Sequence, residues 1–431
     1  MIHYVKISNF GPIRKEIELN FEATGEEGSP VYEAEMKDGR KLLKLAYIYG
    51  PNASGKTTVL RAIDFLRKLW LEPLYNKDHE LDYDPFLFQP DPQQDPSTIE
   101  ISFYANDMRY IYRVTFFKRS VETEKMVVYR TNQPTELFSR TTDLEKRLSN
   151  VEFGTAIKGA AGALAALGTA TLHNNTVLGA FQKTNADLPD FELLNRWCKS
   201  FFSQMINEQT NLSDHTAFRI AEDPVFANWM NIFLNKADPN LKGVSVKLEK
   251  SKGTEDLIDR ILLNRPIAKA QEDLIRAAAI DKQINFIHSL GGNEVYALPL
   301  AKESSGSTRY FGLGGVLYKL LTQPSFIGID ELDTSLHVDL MKYFLQVFLL
   351  NSGQSQLVFT SHNIFLLEEK DFIRKDALWF TEKGKDGQVS LYSAIDFDSA
   401  TLRKGASLIN AYRSGRLGAK PNLGSPYLTP E

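Results

Sequence analysis

Apolar and polar positions alternate over much of the first 50 residues, and a period of two is the pattern of a β-strand. It predicts strands at residues 2–7, 17–21, 31–36 and 42–49. Directly after the last strand the period changes, and apolar residues recur at helical spacing from Val59 to Phe65. The chain therefore begins with a β-rich segment that leads into a helix.

The pattern changes again further along the chain. A Pro/Asp/Gln-rich stretch at residues 84–96 breaks regular structure. Three strand patterns that follow predict an antiparallel meander, and from about residue 141 to 236 the pattern becomes helical. The strand segments are 98–104, 109–117 and 125–129, and the helical region includes the Ala/Gly-rich segment 154–171 and the aromatic-rich segment 191–206.

The pattern divides the chain into three parts. We expect residues 1–140 to form the first part of one domain, residues 141–283 a helical insertion, and residues 284–431 the rest of that domain. Within the insertion, segment 154–171 fits either a closely packed helix of small residues or an Ala/Gly-rich surface loop. Near its end, strands are predicted at 244–248 and 284–287 around a helical piece at 255–263, and segment 294–300 leads back to the core.

The segment between the strand 42–49 and the helix after it has the form of a phosphate-binding P-loop. It fits G-x-x-x-x-G-K-[ST] and reads Gly50-Pro51-Asn52-Ala53-Ser54-Gly55-Lys56-Thr57. Thr58, which follows directly, is a further candidate for nucleotide binding. Backbone N–H groups of such a loop, with the positive end of the helix dipole, cradle nucleotide phosphates. We expect Lys56 to reach the β- and γ-phosphates and the Thr57 hydroxyl to bind Mg²⁺. An ordinary strand-to-helix turn is the alternative.

Two later strands end in polar residues. Residues 326–329 lead to the adjacent acids Asp330 and Glu331, the form of a Walker B strand, in which the first acid holds Mg²⁺ and the second orients the attacking water. Residues 356–361 lead to His362, which is either a donor to the γ-phosphate or a structural histidine. Because ligands gather at the carboxyl ends of strands in an open α/β sheet, we expect these residues and the P-loop to meet in one crevice.

Composition narrows the class of protein. The chain has 431 residues, of which 43% are hydrophobic and 24% charged, and a net charge of −4. This is an ordinary soluble globular composition for about two or three domains, without a global signal for nucleic acid. No apolar run reaches the ~18 residues of a membrane span and no signal peptide is evident, so we expect a cytoplasmic protein without membrane contact. Cys198 is the only cysteine, which excludes intrachain disulfides.

Five motifs in order give the chain a family resemblance. They are the P-loop, Ser304-Ser305-Gly306-Ser307-Thr308, the Asp-Glu pair, a Thr-Ser-Leu-His turn at 334–337 and a Thr-Ser-His strand end at 360–362. In this order they resemble the ABC-type ATPases. The segments 9–12, 402–405 and 411–418 look like the OLD/RecF/SMC branch, and more narrowly like its stand-alone bacterial and archaeal ATPases, several of which occur in phage-defence or toxin operons. The resemblance covers residues 1–135 and 285–420.

The resemblance implies an α/β fold, with an ABC-type P-loop ATPase core, an antiparallel β lobe and an inserted helical lid. It implies ATP and Mg²⁺ as cofactors, and a homodimer or higher homo-oligomer that closes around ATP. In it Ser305, Gly306 and Ser307 would contact the γ-phosphate bound by another subunit. Ser304 and Ser307 depart from the leucine and second glycine that the family usually has there. Residues 332–337 match the D-loop, with His337 where many relatives carry an acid.

The resemblance also implies a Q-loop glutamine that joins the Mg²⁺ site to the lid. Gln89 is the candidate, with Gln93 and Gln94 as competitors and a solvated Pro/Gln loop as the alternative. Arg14 is either a residue that approaches the phosphates or a surface arginine.

Two functions of different class follow. The first is an ATP-driven switch or sensor for a separate effector, a nuclease or toxin, since the stretch after His362 is too short for the Toprim nuclease domain of OLD proteins. The second is a RecF-like DNA-repair ATPase, for which a basic cluster free of acids would meet DNA phosphates. Its members are Arg403, Lys404, Arg413, Arg416 and Lys420. A solvated tail or a patch for an acidic partner is the alternative, and a P-loop protein without appreciable hydrolysis is a third possibility.

Overall fold

The computed structural model describes residues 1–25, 30–250, 280–290, 294–368, 373–397 and 407–420. The chain divides into two compact units. The first consists of Met1–Glu208, Leu320–Asp333 and Val347–Glu431, and the second of Gln209–Lys319 and Thr334–Gln346. The candidate Arg403 and Lys404 and the predicted helical piece 255–263 lie outside the described residues.

The described strands, in chain order, are β1 (Ile2–Ser8), β2 (Ile17–Asn20), β3 (Glu33–Glu35), β4 (Lys41–Leu43), β5 (Leu45–Tyr49), β6 (Ser97–Ala105), β7 (Met108–Phe117), β8 (Ser120–Tyr129), β9 (Pro134–Asp143), β10 (Leu148–Phe153), β11 (Leu241–Lys250), β12 (Ile280–Ser289), β13 (Val295–Pro299), β14 (Phe326–Ile329), β15 (Gln356–Ser361), β16 (Leu378–Lys383) and β17 (Val389–Ser393). The described α-helices are α1 (Lys56–Leu71), α2 (Ala161–Ala170), α3 (Val177–Phe181), α4 (Pro189–Phe201), α5 (Leu212–Glu222), α6 (Pro224–Ala237), α7 (Ser305–Thr322), α8 (Val338–Asn351) and α9 (Leu408–Arg413).

The first unit contains a seven-stranded antiparallel sheet in the order β10-β9-β8-β7-β6-β1-β2. Alternation in β7 and β8 leaves one face buried, as the period of two predicts. Helix α1 packs against this face, and its Trp70 lies with Phe103 of β6 and Tyr112 of β7 in one aromatic cluster. The sheet therefore holds the helix that follows the P-loop.

The second large sheet of this unit holds the strands with the chemical motifs. Its order is β14-β15-β5-β16-β17, parallel except for β17. All positions of β5, β14 and β15 are buried, which explains the continuous apolar runs of β5 and β14. Because β14, β15 and β5 run in the same direction, their carboxyl ends lie at one edge of the sheet.

The second unit combines a three-stranded sheet, in the order β11-β12-β13, with α5, α6 and α7. Its core is aromatic, with Phe233 of α6 stacked on Tyr310 of α7 at 4.7 Å between ring centroids. A Cβ at Gly315 of α7 would lie 2.3 Å from the Thr216 hydroxyl oxygen of α5. The glycine therefore permits close contact between these two helices.

The structure differs from the sequence pattern in the predicted helical insertion. Helix was predicted from residue 141, whereas β9 continues to Asp143 and β10 extends from Leu148 to Phe153. The pairing with β8 decides this, because β9 and β10 extend a sheet that the local pattern does not show. Segment 154–171 contains helix α2, but only its Leu167 is buried, so its small residues do not make a closely packed helix.

An ion pair lies entirely inside the seven-stranded sheet. Glu124 and Arg140 have fully buried side chains, with 3.8 Å between Oε2 and Nη1. Glu124 also accepts hydrogen bonds from the Tyr112 hydroxyl (2.9 Å) and the Val177 backbone N–H (2.9 Å). Burial nevertheless raises the pKa of Glu124 to about 7, against the opposing charge of Arg140.

This pair predicts a pH dependence of stability. A carboxyl whose pKa is raised by folding stabilises the fold fully below its unfolded pKa of 4.5, and this contribution is lost as the pH rises towards 7. In the wild type, the free energy of unfolding should decrease by up to about 3 kcal/mol over this range. We expect Glu124→Gln to remove this decrease, because the amide does not titrate. Urea denaturation at several pH values measures it, with Glu122→Gln of the same strand as the control. An unchanged pH profile in Glu124→Gln would contradict the assignment.

Candidate functional site

The P-loop connects β5 to α1 through a turn that requires glycine. Gly55 has φ 96°, and a Cβ there would lie 2.7 Å from a methyl carbon of Val389. At Gly50 a Cβ would lie 2.5 Å from the Thr381 hydroxyl oxygen. The Ser54 hydroxyl lies 2.6 Å from the same hydroxyl, so β16 and β17 fix the back of the loop.

Lys56 lies inside the loop that it belongs to. Its Nζ donates hydrogen bonds to the carbonyl oxygens of Gly50 (2.9 Å) and Pro51 (3.0 Å), and the residue is 5% exposed. Burial lowers the pKa of Lys56, and the carboxylates of Glu331, Asp330 and Asp333 oppose the shift. The ammonium group is thus fixed against the backbone of the P-loop by these two hydrogen bonds.

Asp330 joins the ends of two parallel strands to the start of α1. The Thr57 hydroxyl, at the start of α1, donates to its carboxylate at 2.9 Å, and the Thr360 hydroxyl of β15 donates at 2.6 Å. The register of β14 and β15 pairs Ile329 with Phe359, so Asp330 and Thr360 come next on adjacent strands. The predicted neighbours Thr57 and Asp330 are therefore in direct contact.

Glu331 turns back towards the loop. Its φ of 50° is left-handed, which costs about 1–2 kcal/mol for a residue with a Cβ, and its N–H donates to the Thr360 hydroxyl at 2.8 Å. Burial raises the pKa of Glu331. A hydrogen bond with Glu208 and the negative charges of Glu208 and Asp330 raise this pKa further, whereas His362 lowers it. Glu331 lines a pocket of about 270 Å³ with Pro12 and residues 52–58.

Glu208 is a residue of this site that the sequence did not indicate. Residues 202–206 lie along β14 as a parallel edge, with bridges from Phe202 to Phe326 and from Ile206 to Ile329. The Asp330 N–H donates to the Ile206 carbonyl at 2.8 Å, which brings the segment to the carboxyl end of the strand. The amino-acid pattern of this segment does not predict a strand, because the strand that it pairs with is more than 100 residues away in the sequence.

His362 lies at the end of β15, as expected, with its side chain 57% exposed. Its Nδ1 is 3.6 Å from the carboxylate of Asp333, and its backbone oxygen accepts a hydrogen bond from Tyr49 (2.7 Å). Asp333, another residue that the sequence reasoning did not single out, is buried, and its Oδ1 has no hydrogen-bond partner among the described residues. The carboxylate of Asp333 therefore lies within ion-pair distance of an imidazole that is largely exposed.

The predicted signature residues lie in the second unit, at the start of α7. The Ser304 hydroxyl accepts a hydrogen bond from the Ser307 N–H at 3.0 Å and so caps the helix. A Cβ at Gly306 would lie 2.8 Å from the Ser335 carbonyl oxygen. Ser304 and Ser305 are exposed at an 18-residue helix N-terminus. The D-loop residue His337 is 75% exposed, with Nδ1 3.4 Å from Asp339.

Gln89 is not among the residues that line the P-loop pocket. Its Nε2 is buried and has no hydrogen-bond partner in the described part of the chain, whereas its competitors Gln93 and Gln94 are exposed. Arg14 lies with its guanidinium 5.6 Å from the ring centre of Phe86 and does not line the pocket. No hydrogen bond joins Gln89 to Thr57 or Asp330 in the described part of the chain, and its role as a metal ligand stays a prediction.

The oxygen donors at the strand ends fit Mg²⁺. A hydroxyl and a carboxylate are hard ligands of the kind that this ion prefers, and Thr57 and Asp330 are already in contact. No group of three or more His, Cys, Asp or Glu with metal-site geometry occurs among the described residues. The protein would therefore supply few ligands and leave the others to phosphate and water.

A strand, a glycine-rich loop that holds a lysine, and a second strand that ends in acids define the class of a P-loop NTPase. The model of the family described as "AAA domain, putative AbiEii toxin, Type IV TA system" matches residues 45–159 and 194–368. This is more than half of the chain, which therefore belongs to that family. The predicted P-loop ATPase class and α/β fold are confirmed.

Three solved structures that resemble this chain are SMC head domains. The one from Thermotoga maritima is 14% identical, with 91% of this chain and 98% of that chain covered and a TM-score of 0.40. An SmcHead bound to the C-winged helix domain of ScpA is 12% identical, with 96% and 99% covered and a TM-score of 0.46. An Smc head domain bound to the C-terminal domain of ScpA, from Pyrococcus furiosus, is 11% identical, with 97% and 99% covered and a TM-score of 0.37.

At TM-scores below 0.5, these likenesses say nothing about the site. No curated protein matches the chain. None of the helices that the structure describes has the length and hydropathy needed to span a bilayer.

The tight packing at Gly50 gives a prediction. Gly50→Ala places a methyl group against the Thr381 hydroxyl and carbonyl oxygens, at 2.5 and 2.7 Å, so the loop must shift. We expect a loss of about 1–3 kcal/mol in unfolding free energy and a weaker affinity for ATP. Denaturation and calorimetric titration measure the two effects. Gly353→Ala, which meets no atom within 4 Å, is the control, and equal behaviour of the two variants would refute the steric argument.

Proposed function

We propose that this protein is an ATPase that dimerises around ATP and acts as a switch or sensor for a separate effector, in bacterial anti-phage defence. The observation that carries the ATPase proposal is the convergence of Lys56, Thr57, Asp330 and Glu331 at one pocket. These side chains come from the P-loop and from the end of β14, and Thr57 and Asp330 are 273 residues apart in the chain.

Each group has a role in phosphoryl transfer to water. Lys56 leaves the carbonyl oxygens of its own loop and binds the β- and γ-phosphates. Thr57 and Asp330 would hold Mg²⁺, which would neutralise phosphate charge when bound. Glu331 accepts a hydrogen bond from the attacking water and orients it, and the raised pKa brings this carboxyl closer to the range of a general base. His362 donates to the γ-phosphate from the end of β15.

The pocket contains no signature residue of its own. The residues that line it are Pro12, Asn52, Ala53, Ser54, Gly55, Lys56, Thr57, Thr58 and Glu331. Ser305, Gly306 and Ser307 lie at an exposed helix N-terminus, where N–H groups attract anions. We propose that this N-terminus binds the γ-phosphate held by a second copy, which gives two shared sites in a symmetric dimer.

The family supports the two-component part of the proposal. Its description names a putative toxin and a type IV toxin–antitoxin system. A toxin–antitoxin system has two components, and we propose that the partner of this ATPase is a nuclease or toxin. ATP-dependent association of two copies would then hold or release the partner.

The alternative is a RecF-like DNA-binding ATPase. In its favour, Arg413, Arg416 and Lys420 are exposed near the end of the described chain. Helix α9 fixes this segment on the core through Tyr412, whose ring lies 5.1 Å from that of Tyr49.

Removal of the catalytic carboxylate tests the ATPase and the dimer. We expect Glu331→Gln to bind ATP without hydrolysing it, so that ATP doubles the mass measured by light scattering. Glu145→Gln, at an exposed position of the β lobe, should hydrolyse ATP like the wild type and return to monomers. If Glu331→Gln keeps its mass when ATP is added, the shared-site dimer is wrong. If it hydrolyses ATP at the wild-type rate, Glu331 is not the catalytic base.

Replacement of the basic cluster separates the two functions. If the partner is an effector protein, Arg413→Ala/Arg416→Ala/Lys420→Ala and the wild type should bind duplex DNA equally weakly, and both should co-purify with the product of a neighbouring gene. A triple control replaces Lys37, Arg119 and Lys146, which are at least 72% exposed and lie in surface ion pairs. A steep salt dependence of DNA affinity in the wild type that is lost only in the first variant would replace the switch by the DNA-binding alternative.

A further inference from the structure

The loop 84–96 carries two adjacent apolar side chains on the surface of the first unit. Leu87 is 59% exposed and Phe88 64% exposed, whereas Phe86 directly before them is fully buried. Apolar residues that are exposed together and rimmed by polar groups are typical of protein–protein contact sites. We call these two side chains the Leu87–Phe88 patch.

Asn9 holds this loop at both ends. Its side-chain oxygen accepts a hydrogen bond from the Phe86 N–H at 2.9 Å, and its amide nitrogen donates to the Asp95 carbonyl at 2.7 Å. Asn9 is 7% exposed and has φ 51°, a left-handed conformation that asparagine tolerates better than most residues. One buried side chain therefore closes the loop, and the patch lies on a fixed base.

The hairpin of β16 and β17 fixes the Phe88 ring. A Cβ at Gly387, in the turn of that hairpin, would lie 2.7 Å from Cδ2 of Phe88, so the ring packs directly on the glycine backbone. The rings of Phe86 and Phe88 meet edge to face, with 5.8 Å between their centres. The ring is therefore held on one side, and most of its surface is open to solvent.

Two cations lie beside the patch. The Lys383 ammonium is 5.3 Å from the ring centre of Phe88, and the Arg14 guanidinium is 5.6 Å from that of Phe86. Both cations are exposed, and neither forms an ion pair with an acid in the part of the chain that the structure describes. The patch therefore has positive charge at its rim that no contact neutralises.

The acids closest to Lys383 in the sequence bind other groups. Glu382 accepts a hydrogen bond from the Tyr392 hydroxyl at 3.2 Å, and Asp386 accepts one from the Gln388 N–H at 3.1 Å. The charge of Lys383 is thus available to a ligand.

Apolar surface and positive charge together indicate the class of ligand. An apolar side chain would be buried against Leu87 and Phe88, and carboxylates would pair with Lys383 and Arg14. A nucleic acid fits less well, because its backbone is bound through about 6–10 phosphate contacts and the patch offers two cations. An acidic protein segment that carries an apolar side chain satisfies both features.

One turn joins the patch to the nucleotide pocket. The Gly11 N–H donates to the Asp84 carbonyl at the start of the loop (2.7 Å), and the Pro12 carbonyl accepts the Val389 N–H (2.9 Å). Pro12 and Thr58 line both the P-loop pocket and a second cavity, of about 450 Å³, beside the same turn. A partner bound at the patch would therefore lie close to the site of the phosphates.

We propose that the Leu87–Phe88 patch is the docking surface for the effector, and that it binds an acidic segment of that protein around an apolar side chain. The inference rests on the proposed function for the existence of an effector. The contacts of the patch define the chemistry of the segment. Leu87 and Phe88 supply the apolar contact, and Lys383 and Arg14 pair with the carboxylates.

Binding of defined peptides tests the patch. The probe is a fluorescent decapeptide of alternating glutamate and leucine, and a glutamate–serine decapeptide of the same charge is the comparison. We expect only the first to bind the wild type in fluorescence anisotropy. Leu87→Ser/Phe88→Ser should weaken this binding about tenfold, because these side chains supply the buried apolar area. Lys383→Glu should weaken it about threefold to tenfold, and less at high salt.

Matched variants control for the loss of exposed apolar area and of charge. Tyr75→Ser/Leu148→Ser removes two side chains of the same unit that are 89% and 63% exposed, and Lys199→Glu reverses an exposed charge on α4. Both should bind the peptide as the wild type does. All these variants should hydrolyse ATP at the wild-type rate, because none of the replaced residues lines the P-loop pocket.

Three results would overturn the inference. The first is equal affinity, or no measurable affinity, of the wild type for the two peptides. The second is tighter binding of a single-stranded oligonucleotide than of the acidic peptide, lost in Lys383→Glu, which would assign the patch to nucleic acid. The third is loss of the ATP-dependent dimer when Leu87→Ser/Phe88→Ser is added to Glu331→Gln, which would assign the patch to a second copy. Absence of ATP hydrolysis in the wild type would instead contradict the proposed function, and the peptide result would stand.

Discussion

The carboxylate of Asp330 is the interaction on which the site depends. It accepts hydrogen bonds from Thr57 at the start of α1 and from Thr360 at the end of β15, so one side chain joins the P-loop to two parallel strands. The Thr360 hydroxyl also accepts the Glu331 N–H, which holds that residue in its left-handed turn. The position of the proposed catalytic carboxyl therefore depends on the same small network that would bind the metal ion.

Burial and like charge act together at Glu331. Glu208 arrives on a segment paired with β14 and forms a hydrogen bond with Glu331, and this contact, burial and the charge of Asp330 all favour the protonated carboxyl. Lys56 is buried in the same pocket, and its ammonium group donates hydrogen bonds to the carbonyl oxygens of Gly50 and Pro51. A nucleotide would change both environments, because its phosphates would attract the ammonium group away from the loop.

The sequence predicted the parts of the site that belong to short, continuous motifs. The P-loop, the Asp330-Glu331 pair and His362 each follow a continuous apolar strand, and such motifs are recognisable because their geometry is local. Gln89 illustrates the limit of this reasoning. Glutamines are common in the 84–96 stretch, and no local pattern tells which of them, if any, contacts a metal ion. The strands β9 and β10 were missed for a similar reason, since their partner strand and not their own pattern stabilises them.

The sequence by itself determined the class of the protein and the loop that binds phosphate, because strand periodicity and glycine spacing are properties of neighbouring residues. Only the tertiary structure decided that Glu208 lies beside Glu331, that Asp333 lies 3.6 Å from His362, and that a second cavity opens at Thr58. These contacts join residues that are far apart in the chain. They arise when buried sheets bring strand ends together, and no local pattern encodes that arrangement.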